Sequence, residues 1–504
     1  MSEVPTGVRL GAVQRPPPRP TVTVTLTRNG PEGLEVLLGL RSPTMRAFPD
    51  TWAFPGGGVS RRDAEGMAAA GLPQHEDGDD LARFAACREM AEELGWWWDG
   101  HALQAVPADL RQRLLNERDA WNTLVPEALN VDPTGLHVIS RRTTPPFGPM
   151  QFENTFLHLH LGDAALTPPL DLEPQTEFET MAWNTVDDHL DAWRNHERRI
   201  APPVASLLMH LEGLLEEHNG DGSAAMATLT QRTPGREAIH FAHGVQVHPV
   251  PTATLPPADH TNAYLIGRVG GPTVIVDPAV RNREDMEELA DVMDRRGGQV
   301  IAVLFTHGHG DHLGDEGLLR EAFDAPVWGH RLGGMRVDRA LDDGEVIDLD
   351  GDRWTVLHTP GHHPGHLCLF GPAGLVAGDM VAGVGTILIP STEGDMHAYL
   401  EQLERLKALQ PHLIFPSHGP VITTPEAVLT QYLTHRRARH GRVLEAVRAG
   451  HHAILDIAAY AYADSPEAHP GLAQDQTRSH LLGLVAEGKV VEQNGEWFLP
   501  ERSG

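Results

Sequence analysis

The chain has 504 residues, enough for roughly three domains of ordinary size. It carries 69 acidic residues against 40 basic ones, and its formal net charge of −29 disfavours nucleic acid and anionic membranes as partners. It shows neither a long apolar run nor a signal-sequence pattern, so we expect a cytoplasmic protein without membrane segments. Cys87 and Cys368 lie in separate apolar stretches and are predicted to be buried thiols.

Composition and periodicity divide the chain into five segments. An extended, proline-rich start is followed by a segment that opens on alternating strands. A small, polar stretch predicts a linker, and strands and one helix then alternate. Three helical stretches and a hairpin with an Asn-Gly turn close the chain, in the outline of a winged helix. We therefore predict a multidomain protein of the α/β and α+β classes, with segments 1–20, 21–215, 216–238, 239–432 and 433–504.

The first chemical signature is an acidic stretch of predicted helix at residues 88–95. Glu89, Glu92 and Glu93 are spaced i, i+3 and i+4, so an α-helix would place them on one face. A divalent cation would remove their mutual repulsion and gain the oxygen ligands that Mg²⁺ or Mn²⁺ prefers. We predict a metal site that acts on a pyrophosphate, and the alternative is a solvated acidic helix face.

A glycine-rich loop at residues 52–59 precedes this helix. Gly56 and Gly57 would let backbone amides approach a phosphate closely, so both are predicted to bind substrate. Loop and helix together resemble the Nudix box. The resemblance implies a Nudix α/β/α sandwich that hydrolyses a diphosphate linkage, in which the three glutamates hold metal and one may serve as base. The chain departs from the pattern at Asp63, where the family has Glu, and in a longer spacer before Arg88.

The residues before the glycine loop resemble the signature of coenzyme A pyrophosphatases. Arg41 and Arg46 match that signature and could clamp a phosphate, although ordinary surface arginine is the alternative. The substrate is therefore predicted to be a coenzyme A-type compound or another small-molecule nucleotide, with a nucleoside polyphosphate as the competing interpretation. Three residues could supply a further, remote carboxylate, and the sequence does not choose among Glu153, Glu177 and Glu179.

The second signature is a dense run of potential metal ligands after the predicted strand 300–305. His307, His309, Asp311 and His312 lie within six residues, too many for a satisfied apolar core. Imidazoles with one carboxylate favour Zn²⁺, Mn²⁺ or Fe²⁺. Each of three further clusters follows an apolar segment, and these clusters contain His362, Asp379 and His418.

This series resembles the metallo-β-lactamase superfamily. The resemblance implies an αββα sandwich with two ions, one held by His307, His309 and His362, the other by Asp311, His312 and His418, with Asp379 between them. A hydroxide between the ions would be the nucleophile, so Asp311 is also counted as catalytic. Asp277 would be a supporting group. Three nearby histidines are expected to be supporting or surface residues: His358, His363 and His366.

With the winged-helix tail, the chain resembles a branch that includes a mitochondrial single-strand endoribonuclease and fungal polyketide thioesterases. The second substrate is accordingly an ester, a thioester or a phosphodiester such as RNA. A basic run could favour the phosphodiester, and a solvated helix face explains it equally well; the run is Arg436, Arg437, Arg439 and Arg442.

The leading hypothesis is a bifunctional metal-dependent hydrolase that could form a homodimer. One alternative is a regulatory or scaffold protein with a single active site. Another makes the tail a DNA reader. The candidate recognition helix around residues 475–480 has little surplus positive charge, so packing of the tail on the metal domain, or dimerisation, is the preferred expectation.

Overall fold

The structure is a computed structural model. It describes residues 15–45, 48–71, 78–117, 119–146, 148, 150–164, 167–170, 172, 177–231 and 238–500. These divide into two compact units, Arg15–His243 and the part from Gly244 onward. The predicted substrate residue Arg46 and most of the predicted extended segment lie outside the described residues. Among the described residues, no helix is long and apolar enough to cross a membrane.

The N-terminal unit contains a mixed six-stranded sheet and a separate hairpin. Its strands are β1 Arg19–Gly30, β2 Gly33–Arg41, β3 Trp52–Ala53, β4 Trp96–Trp98, β5 Leu103–Ala105, β6 His137–Thr143, β7 Phe152–Asp163, β8 Phe178–Thr185 and β9 Ile239–Ala242. The sheet runs β3-β2-β1-β7-β6, with β8 also paired to β2, while β4 pairs with β5. Strands β1 and β7 are parallel, and the other pairs within this sheet are antiparallel.

Helices cover both faces of this sheet. They are α1 Arg61–Ala70, α2 Asp80–Glu89, α3 Ala108–Asn116, α4 Ala120–Glu127, α5 Val186–Arg194, α6 Pro202–Glu217 and α7 Gly222–Gln231, with a short 3₁₀ turn at Pro133–Gly135. Val22 and Val24 of β1 pack in one core with Phe84 of α2. Val36 of β2 packs in the other core with α5, α6 and α7. Side chains alternate between the faces of a strand, so each face buries its own set of helices, and the predicted three-layer arrangement is present.

Helix α2 does not continue as a regular α-helix through the acidic signature. It ends at Glu89, and residues Met90–Leu94 form a π-helical turn closed by Gly95 in the left-handed conformation. The prediction that this stretch is a regular α-helix is therefore wrong for Met90–Leu94, which include Glu92 and Glu93. An i→i+5 turn changes the angle between successive side chains, and such turns occur frequently at functional sites.

The predicted linker 216–238 contains a buried helix. Helix α7 occupies its middle, and Ala225, Met226 and Leu229 are buried in the same core as α5 and α6. The small side chains that indicated a linker instead allow α7 to pack closely on α6. The interpretation of this stretch as a linker is wrong for the residues that the structure describes.

The C-terminal unit contains two sheets and a terminal hairpin. Its strands are β10 Val245–Pro251, β11 His260–Ile266, β12 Pro272–Val276, β13 Gln299–Leu304, β14 Val327–Gly329, β15 Arg339–Ala340, β16 Val346–Leu349, β17 Asp352–His358, β18 Leu367–Gly371, β19 Gly374–Gly378, β20 Ile414–Pro416, β21 Val491–Gln493 and β22 Glu496–Phe498. Within this unit one sheet runs β15-β14-β13-β12-β11-β10, and the other runs β16-β17-β18-β19-β20. The Tyr264 hydroxyl in the first sheet donates to the Pro416 carbonyl in the second.

Each sheet is covered by helices. The unit's helices are α8 Arg283–Arg296, α9 Glu316–Phe323, α10 Met396–Ala408, α11 Pro425–Arg448, α12 Ile454–Ala461 and α13 Pro470–Ala486. Met286 and Leu289 of α8 pack with the first sheet, and Met396 and Tyr399 of α10 pack with the second. The four layers agree with the αββα sandwich that the resemblance implies.

Helices α11, α12 and α13 and the hairpin β21–β22 enclose a third core at the end of the chain. The predicted domain boundary at 432/433 falls inside α11. Leu429 and Leu433 of this helix pack in the core of the second sheet, while Val443 and Val447 pack in the terminal core. One continuous helix therefore belongs to both the sandwich and the tail.

The buried position of α7 predicts that its apolar side chains stabilise the N-terminal unit. Leu229→Ala should cost about 2–5 kcal/mol of local stability, because it removes buried methyl groups and leaves a cavity. Hydrogen–deuterium exchange of amides in α6 and α7 should accelerate. The exposed Gln231→Ala on the same helix is the control, and equal exchange in both variants would contradict the buried assignment.

Candidate metal centres

The predicted histidine and aspartate ligands lie on loops that follow strands of the C-terminal unit. Residues 306–312 follow β13, and the loops that bear His362, Asp379 and His418 follow β17, β19 and β20. All seven predicted ligands are buried: His307, His309, Asp311, His312, His362, Asp379 and His418. The sandwich thus brings residues from four separate chain segments to one place.

Three imidazoles form the first group of ring nitrogens. His307 Nε2 lies 3.0 Å from His309 Nδ1, and His362 Nε2 lies 2.9 Å from that same Nδ1. His362 Nε2 is 3.2 Å from His307 Nε2. The potential ligand atoms of these residues lie within 4.8 Å of one another, close enough to bind one ion.

The second group contains Asp311, His312 and His418. His418 Nε2 lies 3.5 Å from Asp311 Oδ2, and His312 Nε2 lies 4.0 Å from Asp311 Oδ1. Asp379 lies between the two groups: its oxygens are 3.4 Å from His312 Nε2, 3.5 Å from His418 Nε2 and 3.7 Å from His362 Nε2. The two groups, with Asp379 between them, are arranged as the resemblance implies.

The donor set fits a transition metal. His312 Nε2 and both carboxylate oxygens of Asp379 are buried and make no hydrogen bond among the described residues. Burying an unpaired carboxylate is costly unless a cation compensates it. Imidazole with carboxylate is the ligand combination that Zn²⁺, Mn²⁺ and Fe²⁺ accept.

The remaining ring nitrogen of each ligand histidine has a hydrogen-bond partner. His307 Nδ1 lies 3.0 Å from Thr306 Oγ1, His309 Nε2 lies 2.8 Å from Glu393, and His312 Nδ1 lies 2.9 Å from Asp277. His362 Nδ1 and His418 Nδ1 bond backbone carbonyls, those of Leu388 and His260, at 2.7 and 3.0 Å. Such partners fix ring orientation and tautomer in metal sites.

Burial and charge act in opposite directions on these rings. Burial, reinforced by neighbouring imidazoles, lowers the pKa of His307 well below its usual value, and burial lowers that of His362 to about 3. Burial also lowers the pKa of His312, but the carboxylates of Asp379, Asp277 and Asp311 outweigh it and hold the pKa well above its usual value. His307 and His362 are therefore neutral at physiological pH, as metal ligation by imidazole requires.

The supporting residues are also in place. Asp277 accepts from the Thr306 amide at 2.8 Å and from His312, so it supports the loop as predicted. His366 Nε2 accepts from the Asp379 amide at 3.0 Å. His358 stacks on His330 at 4.0 Å and bonds a backbone carbonyl, which makes it a structural residue.

Glu393 was not singled out from the sequence. It lies just before α10, and acidic residues are common before helices. Nothing in the sequence therefore indicates that Glu393 bonds His309. His363 lies close to the same carboxylate, with His363 Nε2 3.9 Å from Glu393 Oε2.

The glycine loop of the N-terminal unit lies against its acidic helix. A Cβ on Gly57 would come within 2.5 Å of Glu89 Oε1, so any larger residue there would require the Glu89 side chain to move. The Gly56 amide, which is predicted to bind a phosphate, donates to Glu93 at 2.8 Å in this structure.

Arg88 organises the same site. Its guanidinium bonds Asp63 at 2.7 Å, Glu89 at 2.8 Å and Glu92 at 3.0 Å, and it donates to the Gly58 carbonyl. Asp63, which departs from the family pattern, is buried and anchors this arginine. The substitution of Asp for Glu thus retains a carboxylate partner for Arg88.

The predicted glutamates form no group as close as the histidine groups among the described residues. Burial raises the pKa of Glu89 to about 7, and burial together with the charge of Glu89 holds the pKa of Glu93 well above its usual value. Of the three candidate remote carboxylates, Glu177 is the one whose charge acts on both residues, and it pairs with Arg41 at 3.1 Å.

Comparison with known proteins identifies the family. The family model described as "Metallo-beta-lactamase superfamily" matches residues 256–418. The chain is 31% identical over 238 residues to lactamase-like protein aptB of Emericella nidulans, an alignment that covers 46% of this chain and 70% of that protein. The chain belongs to the metallo-β-lactamase superfamily. The matched residues include all seven predicted ligands of the histidine site.

Two further similarities are to a thioesterase and to a NUDIX hydrolase. The chain is 29% identical over 195 residues to an atrochrysone carboxyl ACP thioesterase of Passalora fulva, covering 37% of this chain and 56% of that protein. A crystal structure of a NUDIX hydrolase from Alicyclobacillus acidocaldarius covers 38% of this chain and 90% of its own length, with 26% identity and a TM-score of 0.34.

The raised pKa of Glu89 predicts a pH-dependent cost in the N-terminal unit. A carboxyl that ionises at about 7 when folded and at its usual 4.5 when unfolded destabilises the fold as pH rises between these values, by roughly 3 kcal/mol. Glu89→Gln should therefore gain stability relative to the wild type between about pH 5 and about pH 8. Mg²⁺ should reduce this gain if the predicted metal site at Glu89 binds it, because the ion would stabilise the ionised carboxylate. Thermal unfolding at both pH values, with and without Mg²⁺, measures the effect, and a pH-independent difference would contradict it.

Proposed function

We propose that this metallo-β-lactamase-superfamily hydrolase has two active sites. The site in the C-terminal unit would use two metal ions to cleave a carboxylic ester or thioester. The site in the N-terminal unit would be of Nudix type and cleave the diphosphate linkage of a coenzyme A-type compound or another nucleotide. The observation that carries the first proposal is the buried Asp379 carboxylate between two imidazole groups.

The ligand assignment follows the two groups. His307, His309 and His362 would hold one ion, and Asp311, His312 and His418 the other, with Asp379 shared. When bound, two divalent ions such as Zn²⁺ supply a nucleophile at neutral pH and stabilise the negative charge that develops on the substrate. The chain itself keeps the donors in place through the second nitrogen of each ring, which is bonded before any substrate arrives.

An ester or thioester is favoured over RNA because the predicted basic run is already used. Arg436 and Arg439 are buried, and both donate to backbone carbonyls. Arg437 pairs with Glu404 at 2.6 Å, and Arg442 pairs with Asp464. These arginines are therefore committed to internal partners, and the net charge of −29 would repel a polyanion. A similar protein that is named as a thioesterase also supports a thioester substrate.

The N-terminal site would bind the charged phosphates of its substrate through a divalent cation. Its Arg88 network and its close glycine approach are the features that support the Nudix proposal. Mg²⁺ or Mn²⁺ would stabilise the ionised forms of Glu89 and Glu93, whose pKa values are raised, and would draw their oxygens together. Glu177 would be the remote carboxylate, and Arg41 would be a phosphate contact if it exchanged Glu177 for the substrate.

The terminal helices and hairpin would form a winged helix that does not read DNA. Gln476, Thr477 and His480 of the candidate recognition helix are buried. These buried side chains are therefore not available to contact base edges in a DNA groove. The alternative function is that of a scaffold protein that retains a single active site. Separate tests of the two activities distinguish this alternative from the proposal.

For the histidine site we expect Asp311→Ala to lower ester or thioester hydrolysis by more than about 100-fold, because it removes a metal ligand. The assay compares an acyl-coenzyme A thioester, an aryl ester and single-stranded RNA, with Zn²⁺, Mn²⁺ or Fe²⁺ added. Cleavage of RNA alone, or full activity in the variant, would contradict the proposed reaction.

For the N-terminal site we expect Glu92→Gln to lower cleavage of a diphosphate linkage by at least about 100-fold, because it removes a carboxylate that would ligate metal or act as base. Coenzyme A, nucleotide sugars, dinucleotides and nucleoside triphosphates are tested with Mg²⁺ and Mn²⁺. Each variant should retain the activity of the other site. Loss of both activities in one folded variant would show that the sites are not independent.

A further inference from the structure

A loop between β19 and α10 contacts two of the proposed metal ligands. Residues 381–395 contain no helix or strand. The Leu388 carbonyl lies 2.7 Å from His362 Nδ1, and Glu393 Oε1 lies 2.8 Å from His309 Nε2. This loop therefore orients two of the three rings in one metal-binding group, although it supplies no ligand itself.

The terminal helices bind this loop through side chains that reach its backbone. Gln476 of α13 accepts from the Ile389 amide at 3.2 Å and donates to the Ile389 carbonyl at 3.0 Å. One side-chain amide thus satisfies both backbone groups of a fully buried residue. A glutamate could accept but not donate, and an alanine could do neither.

Further hydrogen bonds extend this contact in both directions along the loop. Arg436 of α11 donates to the Ile387 carbonyl and, at 3.2 Å, to Gln476 Oε1. Ser391 Oγ donates to Asp475 of α13 at 2.6 Å. The residues held in this way flank Leu388 and lead directly to Glu393.

The burial of these groups makes the contact strong. Gln476 and Arg436 are 5% and 4% exposed, and Ile389 is fully buried. Buried backbone groups without partners are costly, so the bonds from the terminal helices stabilise this conformation of the loop. The loop is bonded elsewhere as well: the Gly383 amide donates to the His418 carbonyl, the Ala382 amide donates to the Tyr432 hydroxyl, and the Asp395 amide donates to the Gly361 carbonyl next to His362.

We propose that the terminal helices are a positioning device for the histidine site. Gln476, Asp475 and Arg436 are positioning residues: they hold the loop, and the loop holds the rings of His309 and His362. The residues of α13 that were considered for DNA recognition thus act on the metal centre of their own chain. This inference rests on the proposed metal-binding role of the two histidines.

The test measures loop exchange and metal affinity in the full chain. Gln476→Ala and Asp475→Ala are compared with Arg478→Ala, an exposed residue on the same helix. In the first two variants, amides of residues 386–393 should exchange faster, and affinity for one of two Zn²⁺ equivalents should fall at least about tenfold, as for other residues that orient metal ligands. Zn²⁺ affinity is measured by chelator competition, and Arg478→Ala should match the wild type in both readouts.

The outcomes separate this inference from the metal proposal. Faster loop exchange with unchanged Zn²⁺ affinity would overturn the positioning role, and so would unchanged exchange in both variants. A wild type that binds no Zn²⁺, Mn²⁺ or Fe²⁺ would overturn the metal proposal instead. Glu393→Gln is the companion variant if Gln476→Ala does not fold: it alters the contacts with His309 and His363 and should weaken one Zn²⁺ equivalent while circular dichroism stays unchanged.

Discussion

The fully buried carboxylate of Asp379 is the constraint on which the C-terminal unit depends. It lies among His312, His362 and His418, and its oxygens make no hydrogen bond with the described residues. A buried charge of this kind requires compensation by nearby positive charge. Two sheets, each covered by helices, bring the compensating rings from separate loops to this one residue. The sandwich is thus the framework that holds the imidazole rings close to the buried carboxylate.

Arginine side chains join separate chain segments at both proposed sites. The chain contains only two lysines, Lys407 and Lys489, so most buried cationic contacts use a guanidinium. Arg88 joins the glycine loop to the acidic helix, and Arg436 joins the tail to the site loop. A planar fork with several donors can bind carboxylates and carbonyls at the same time, which an ammonium group cannot do with fixed geometry.

The two sites differ in how far they are organised before a metal arrives. In the histidine site the donors already surround a common point, and hydrogen bonds fix the rings. In the N-terminal site Arg88 holds Glu89 and Glu92, and the Gly56 amide holds Glu93. A cation at the proposed N-terminal site would have to displace these contacts, so its binding would be coupled to rearrangement. The π-helical turn at Met90–Leu94 carries Glu92 and Glu93, whose partners differ: Arg88 for Glu92 and the Gly56 amide for Glu93.

The sequence by itself determined the candidate ligand residues, the order of most elements and the family of the C-terminal unit. Ligands that follow apolar strands, such as His307 after β13, are local patterns, and short-range physics is sufficient to recognise them. Only the tertiary structure decided that α7 is buried, that α2 ends in a π-helical turn, and that Glu393 and Gln476 support the metal site. These features depend on contacts between residues that are far apart in the chain: Gln476 lies 87 positions after the Ile389 that it binds. No periodicity or spacing encodes such a pair, because it exists only once both segments have packed.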